Sequence, residues 1–277
     1  MEWWKVAALM LAETVSLGIL SIPSVFASVG MVAGIILVAG LGAIATYTGY
    51  NIGAFKIRYP GCANMADAGE ILAGRWGREI LGAAQIIFII FLLGSHVLTG
   101  LIALDTISNQ ATCAIVWAVI IAAVSALMTV PRTFSGIAYF SIVSFISILA
   151  SILITMIAVG VVGHTGTVAV KVNESFSSAF LSVTNIIFAY AGHVAFIQFI
   201  SEMKRPKDFP KALYALQIAD TTLYIIVGVV VYAYVGDTAS SPALGNTGMT
   251  VRRVAYGVAL PTIIIGAASS RRRGFLR

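Results

Sequence analysis

Charge is what this sequence has least of. Only 10% of its 277 residues are Asp, Glu, Lys or Arg, against roughly 25% in an ordinary soluble domain. A water-soluble globule built from 59% hydrophobic residues would have too little polar surface to cover itself. Disorder is excluded by the same numbers. Two cysteines do not make a disulfide framework, and three scattered histidines do not make a metal site by spacing. Neither a phosphate-binding loop nor a hydrolase triad is present, and the acids are dispersed, so the residues do not suggest an enzyme and imply no cofactor. The apolar runs lack the period-2 alternation of a β-barrel. What is left is an all-α membrane protein with mean hydropathy +0.98.

The gaps between charges give the spans. A hydrocarbon core about 30 Å thick takes about 20 residues of helix. After Glu13 no charged residue occurs until Lys56, a run that holds most of one helix and all of the next, with a turn near Ser28–Gly30. Further runs separate Glu79, Asp105, Arg132, Lys171, Glu174 and Glu202. The expected helices are 6–28, 32–55, 80–107, 112–130, 136–162, 178–201, 212–235 and 252–269, eight in all. The first is too long, and runs too directly into the second, to be a cleaved leader.

With the N-terminus in the cytoplasm, 14 of the 17 Lys and Arg residues fall on the inner side, and only Lys171, Arg252 and Arg253 fall outside. The net charge of +6 is therefore a topology signal, and no single face collects basic residues for nucleic acid. Cys62 and Cys113 fall on opposite sides, so no disulfide joins them. Asn173-Glu-Ser175 is a glycosylation sequon in an outer loop, or a chance match in a loop too short to use it.

Two spans contain residues that a plain lipid-facing helix avoids. From Glu13 to Pro23 there are one carboxylate, three hydroxyls, a glycine and a proline. Pro23 removes an amide and crowds the carbonyl four residues back. An opened backbone at mid-membrane survives only beside a cavity or inside protein. Amides at Ser16, Leu17 and Gly18 would then face an anion. The alternative is a kinked but continuous helix packed through small residues. The sixth span is interrupted around Phe188-Ala-Tyr190-Ala191-Gly192-His193. Two broken helices entering from opposite sides are the pattern of an inverted-repeat transporter with its site between the breaks.

These residues also carry a resemblance. Trp3 through Pro23, with its Ser-Leu-Gly-Ile-Leu-Ser-Ile-Pro core, resembles the first helix of the amino acid/auxin permease family. Ala191-Gly192-His193 with Glu202-Met203-Lys204-Arg205-Pro206 resembles that family's sixth helix and following loop. Ser240 to Gly245 and Ala255 to Pro261 are similar to fungal neutral and aromatic amino acid permeases. The resemblance covers residues 3 to about 266 and implies a LeuT-like fold of two five-helix inverted repeats. Residues 6–162 would be the first repeat and 178–269 part of the second, within a single transmembrane domain. Residues 270–277 form a divergent basic tail where the family would continue, so the fold is expected to be incomplete.

The resemblance implies a multi-pass protein of the plasma or vacuolar membrane that transports neutral or aromatic amino acids by alternating access. The resemblance implies coupling to protons or, in some branches of the family, to sodium, with protons carried over from the fungal branch and no other cofactor. Ser16, Leu17 and Gly18 would hold the substrate carboxylate, and Thr14 would add a hydroxyl. Phe188, Tyr190, Ala191 and Gly192 would line the ammonium and side-chain end. The other reading is a truncated, non-transporting membrane protein that at most binds an amino acid or a partner.

Glu13 lies about 10–12 Å into the first helix at 1.5 Å per residue, on the face of Ser16. An ionisable residue at that depth is a functional candidate by default. Glu13, Asp220 and His193 are the proton-coupling candidates, each with a packing role as its alternative. Asp105 reads as a solvated rim residue. His96, deep in the third span, is either a proton carrier or a packed side chain, and His164 falls in an outer loop.

Overall fold

The computed structural model describes residues 1–128, 134–170, 172 and 175–275. Among these residues the secondary structure is helical throughout. The elements are α1 (Trp3–Val29), α2 (Met31–Arg58), α3 (Met65–Ser108), α4 (Ala114–Leu127), α5 (Phe134–Val162), α6 (Phe176–Ala189), α7 (His193–Ser201), α8 (Phe209–Val235) and α9 (Met249–Phe275). Asn173 lies outside the described residues. Among the described residues, six helical segments are long and apolar enough to cross a membrane: α1, α2, α3, the 140–162 part of α5, α6 with α7, and α8. α4 has 14 described residues, about 21 Å at 1.5 Å per residue, short of a full span. α9 runs from 249 to 275, beyond the expected 252–269. Among the described residues, six of the eight expected spans meet the length and polarity requirement.

α1 sits at the centre. Val15, Ser16, Leu17, Gly18, Ile19 and Leu20 are buried in sequence, and a helix buried on every side belongs to the interior. α5, α6 and α8 surround it, and α9 packs across α3 and α5. The outer helices bury only one stripe and turn large apolar side chains outward, as at Tyr47, Phe91, Ile115 and Val161. In water such a surface would drive association; in a bilayer it is the lipid face. Together the apolar helices and this surface make the chain an integral, multi-pass membrane protein.

The first span is not broken. α1 is one helix from Trp3 to Val29 with Pro23 inside it, which corrects the expected opening at Ser16–Gly18. The physical reason lies in its neighbours. A Cβ placed on Gly18 would come 2.8 Å from Ala189 Cα and 2.9 Å from Ala189 Cβ, so glycine is there to let α6 approach and not to let α1 unwind. Ser21 Oγ donates to the Gly18 carbonyl at 2.9 Å, and Ser24 Oγ to the Ser21 carbonyl at 2.8 Å, so hydroxyls answer carbonyls around the proline. In a setting this apolar, a continuous helix satisfies its own amides. The backbone donors of Ser16, Leu17 and Gly18 are accordingly part of the α1 ladder in this conformation.

The sixth span is broken. α6 ends at Ala189 and α7 begins at His193. Through the turn between them the backbone bonding shortens, with Ala191 N donating to Phe188 O at 3.2 Å and Gly192 N to Tyr190 O at 2.8 Å.

α3 has a feature that the charge spacing did not reveal. Its first two turns fold back at Ala73 and Gly74, where Gly74 takes φ 62°, a conformation suited to glycine. Asn64 and Asp67 close the N-terminus with a reciprocal capping box. Before it, Lys56 Nζ donates to the carbonyls of Pro60 and Cys62 and folds the loop onto the end of α2. Cys62 is buried there, and Cys113 is exposed before α4. Burial pushes the Cys62 thiol up from its ordinary value, and the Asp67 carboxylate adds to the rise.

A raised thiol has less thiolate at neutral pH, so its reactivity should appear only as pH climbs. We expect a maleimide probe at neutral pH to modify Cys113 and spare Cys62. Cys62 should become reactive at alkaline pH or on unfolding, as mass spectrometry of the labelled peptides would show. Equal labelling rates at neutral pH would contradict the burial of this loop.

Candidate functional site

The break in the sixth span opens onto a cavity of about 80 Å³. α1 contributes Glu13, Thr14, Ser16, Leu17 and Gly18 to its wall, α6 contributes Phe188, and the break and α7 contribute Ala191, Gly192, Val194 and Phe199. α3 adds Phe88 and His96, α5 adds Ser141 and Ser144, and α9 adds Gly266. Apolar walls with a few convergent polar groups are the general character of a small-molecule site. The helix ends give this one a polarity. The first amides of α7 lack partners within their own helix, as do the last carbonyls of α6, so the break presents a positive end beside a negative one.

Small residues set how closely α1 meets this break. A Cβ on Gly192 would lie 2.6 Å from the Thr14 methyl, just as one on Gly18 would strike Ala189. Tyr224, on α8, ties the same junction. Its hydroxyl donates to the Ala189 carbonyl at 3.0 Å and the Thr14 carbonyl at 3.2 Å. The first of these closes α6, where no following amide can reach.

Seven of the eight expected substrate-contacting residues share this cavity: Thr14, Ser16, Leu17, Gly18, Phe188, Ala191 and Gly192. Tyr190 does not line it. Its hydroxyl donates to the Val38 carbonyl at 3.2 Å and pairs with Thr221 Oγ1 at 3.0 Å, and its ring packs on Tyr224. Tyr190 therefore joins the break to α2 and α8.

The three proton-coupling candidates separate. Glu13 lines the cavity. His193 faces α2 instead, with Nε2 2.8 Å from the Ala45 carbonyl and 3.0 Å from Thr48 Oγ1, and Nδ1 3.2 Å from the Tyr190 carbonyl. These contacts fix the start of α7 against α2. Asp220 is fully buried on α8, outside the cavity wall, with the Thr14 hydroxyl in reach. That hydroxyl is aimed at the Met10 and Leu11 carbonyls, and neither Asp220 oxygen gains a bond of normal geometry.

Two positions were missed or underweighted from sequence. His96 stood out only as a polar residue in a long apolar run. Gly266 carried no signal, because its importance depends on what it faces: a Cβ there would come 2.4 Å from His96 Nε2. Among the described residues no cluster of three or more His, Cys, Asp or Glu side chains could hold a metal ion.

Comparison with known proteins gives this geometry a family. The profile described as "Transmembrane amino acid transporter protein" matches residues 1–268. The chain belongs to that family. Among its relatives, the "N amino acid transport system protein" of Neurospora crassa is 39% identical over 96% of the chain and 59% of its own length. A "Transmembrane transporter" of Gibberella moniliformis is 29% identical over 96% of the chain and 58% of its own length. The "Amino acid transporter AVT1D" of Arabidopsis thaliana is 28% identical over 81% of the chain and 42% of its own length. The chain thus spans about three fifths of the length of the fungal relatives it matches. These family relatives carry the names of transporters, not of enzymes.

The junction of α1 with the break yields two expected outcomes. Gly18→Leu has no room at Ala189, and overpacking of this kind typically costs about 1–3 kcal/mol, so its melting temperature in detergent should fall. Tyr224→Phe removes a buried hydroxyl and should cost about 1 kcal/mol, with the loss concentrated at the break. Faster hydrogen exchange at residues 189–193, measured by mass spectrometry, would register it. Gly18→Leu melting at the parent temperature would refute the close α1–α6 contact.

Proposed function

We propose that the chain carries an amino acid through the membrane by alternating access, with the substrate held in the cavity at the broken sixth span. The observation that carries this reading is the interruption itself: a mid-membrane helix end of each sign opening onto a cavity beside α1. A zwitterion matches that arrangement. Its carboxylate would take amides at the N-terminus of α7, at His193 and Val194, and its ammonium would lie toward Glu13 and the carbonyls at the end of α6. Thr14, Ser16, Leu17 and Gly18 would contribute side chains and surface, not opened backbone. Phe88, Phe188 and Phe199 suit a neutral or aromatic side chain.

The name printed for the Neurospora crassa relative supports an amino acid as the cargo. A LeuT-like arrangement is supported by the packing of α1 against the broken span, and alternating access would turn on movement at residues 190–192. We read the coupling ion as a proton. Glu13 faces the cavity and Asp220 is a buried carboxyl between α1 and α8, and both lie on the junction that such a motion would rearrange. The chain would lie in a plasma or vacuolar membrane with its N-terminus in the cytoplasm.

Uptake of radiolabelled neutral amino acids into vesicles containing the purified chain tests this. Accumulation should follow an imposed pH gradient and vanish with a protonophore, and Glu13→Gln or Asp220→Asn should uncouple uptake from the gradient. Uptake insensitive to the gradient would refute proton coupling. Binding without uptake would reduce the chain to a substrate-binding membrane protein, and absence of both would overturn the reading.

A further inference from the structure

Asp220 is an acid without an answering charge. It is 0% exposed, and neither carboxyl oxygen has a hydrogen bond. The ion pairs among the described residues are Arg78–Glu70, Lys204–Glu2 and Lys211–Asp208, and none reaches it. An ionised carboxyl stranded in this way costs far more than a neutral one, so the arrangement suits the protonated acid.

Tyr224 follows Asp220 by one turn of α8, hence on the same face, and its hydroxyl donates to the Thr14 carbonyl at 3.2 Å. That face therefore meets α1 at Thr14, whose hydroxyl is in reach of Asp220. The titratable groups near Asp220 are the phenols of Tyr190, from the break, and Tyr224. Among the described residues no charged side chain acts on it, from α1, α2, α5 or α8, and Glu13, beside Thr14 in sequence, lines the cavity.

Both phenols are committed elsewhere. Tyr224 closes the Ala189 carbonyl at the end of α6, and Tyr190 bonds the Val38 carbonyl and Thr221. The Thr14 hydrogen is not needed where it lies. It goes to the Met10 and Leu11 carbonyls at 3.1 and 3.4 Å, which already accept amides within α1, so withdrawing it strands nothing. The same side chain is the contact with the break: a Cβ on Gly192 would lie 2.6 Å from the Thr14 methyl. A helical threonine divides between two rotamers, so hydroxyl and methyl can be re-aimed together.

We propose that Thr14 is a positioning residue that ties the protonation of Asp220 to the shape of the amino acid cavity. The inference rests on the reading of the cavity as an amino acid site and of Asp220 as a proton carrier, and says how one acts on the other. With Asp220 neutral, the Thr14 hydroxyl stays on α1 and its methyl holds Gly192, the arrangement seen here. An ionised Asp220 claims the hydroxyl in a charge-assisted bond, which draws the side chain toward α8 and slackens the wall at the break. Asp220 meets no solvent in this conformation, so its proton exchanges when the junction of α1 and α8 opens. The amino acid then binds tightly only with the proton in place. Binding takes one proton from solvent and converts the Asp220 carboxylate to the acid, and each ligand raises the other's affinity by the same factor.

Calorimetric titration of the purified chain with alanine, leucine and phenylalanine, over a pH series and in buffers of different ionisation enthalpy, reads affinity and proton uptake together. Affinity should be full where Asp220 is protonated and fall by about tenfold per pH unit above its transition, as one-proton linkage requires. Asp220→Asn should bind with an affinity independent of pH. Thr14→Val, whatever its absolute affinity, should vary less than twofold over the same range, and Thr14→Ser, which restores the hydroxyl, should regain the dependence. Linkage that survives Asp220→Asn or Thr14→Val overturns the proposal.

Hydrogen exchange at residues 190–193 carries the same test without ligand and without relying on a variant that binds. Corrected for the intrinsic pH dependence of exchange, protection should fall as pH rises in the parent and in Thr14→Ser, and stay level in Thr14→Val and Asp220→Asn. Protection in the parent that is indifferent to pH refutes the proposal. If none of the three amino acids binds at any pH, the amino acid site itself is refuted and this inference falls with it; binding that does not depend on pH removes only the inference.

Discussion

A peptide group released from its helix inside hydrocarbon must find another partner, and the cost of failing is several kcal/mol. That constraint organises this molecule around Tyr190–Gly192. The turn there leaves the end of α6 and the start of α7 without their own ladders, and the surroundings are arranged to answer them. Tyr224 reaches from α8 to the Ala189 carbonyl. His193 reaches from the first turn of α7 to the carbonyls of Ala45 and Tyr190. The remaining polarity faces a cavity, where a bound solute can answer it.

The same constraint explains why α1 stays whole. Only one of two adjoining spans has to open to make a zwitterion site, because one break supplies both a positive and a negative helix end. A rigid, fully buried α1 is then a wall against which the broken span is positioned. Its glycine serves that contact, and its hydroxyls mostly close on their own helix. Ser16 is the exception, and it lies where the wall meets α3 and α9. Glu13 and Asp220 flank the wall on different sides, Glu13 in the cavity and Asp220 buried toward α8.

Sequence reasoning found these residues more reliably than it found their roles. A carboxylate, a run of small residues and a proline in an apolar segment correctly marked α1 as unusual. They did not say whether the glycine loosened the backbone or admitted a neighbour, because both uses favour the same residue. At the sixth span the signal was firmer, since small residues on either side of Tyr190 leave a helix little to pack with. Tyr190 and His193 looked like site residues because they stand in the break. A side chain's position along the chain does not fix the direction it takes there, and both turn toward α2.

The sequence by itself determined the membrane class, the positions of six of the expected spans, the interruption at 190–192 and the family likeness. Each of these follows from local composition: where charge is absent long enough to span hydrocarbon, and where the helix-supporting side chains run out. Tertiary structure alone decided that α1 is continuous, that α3 folds back at Gly74, and that His96, Ser16 and Gly266 meet. Those facts depend on the separation between atoms on helices far apart in the chain, and no periodicity or spacing within one helix encodes what stands opposite it.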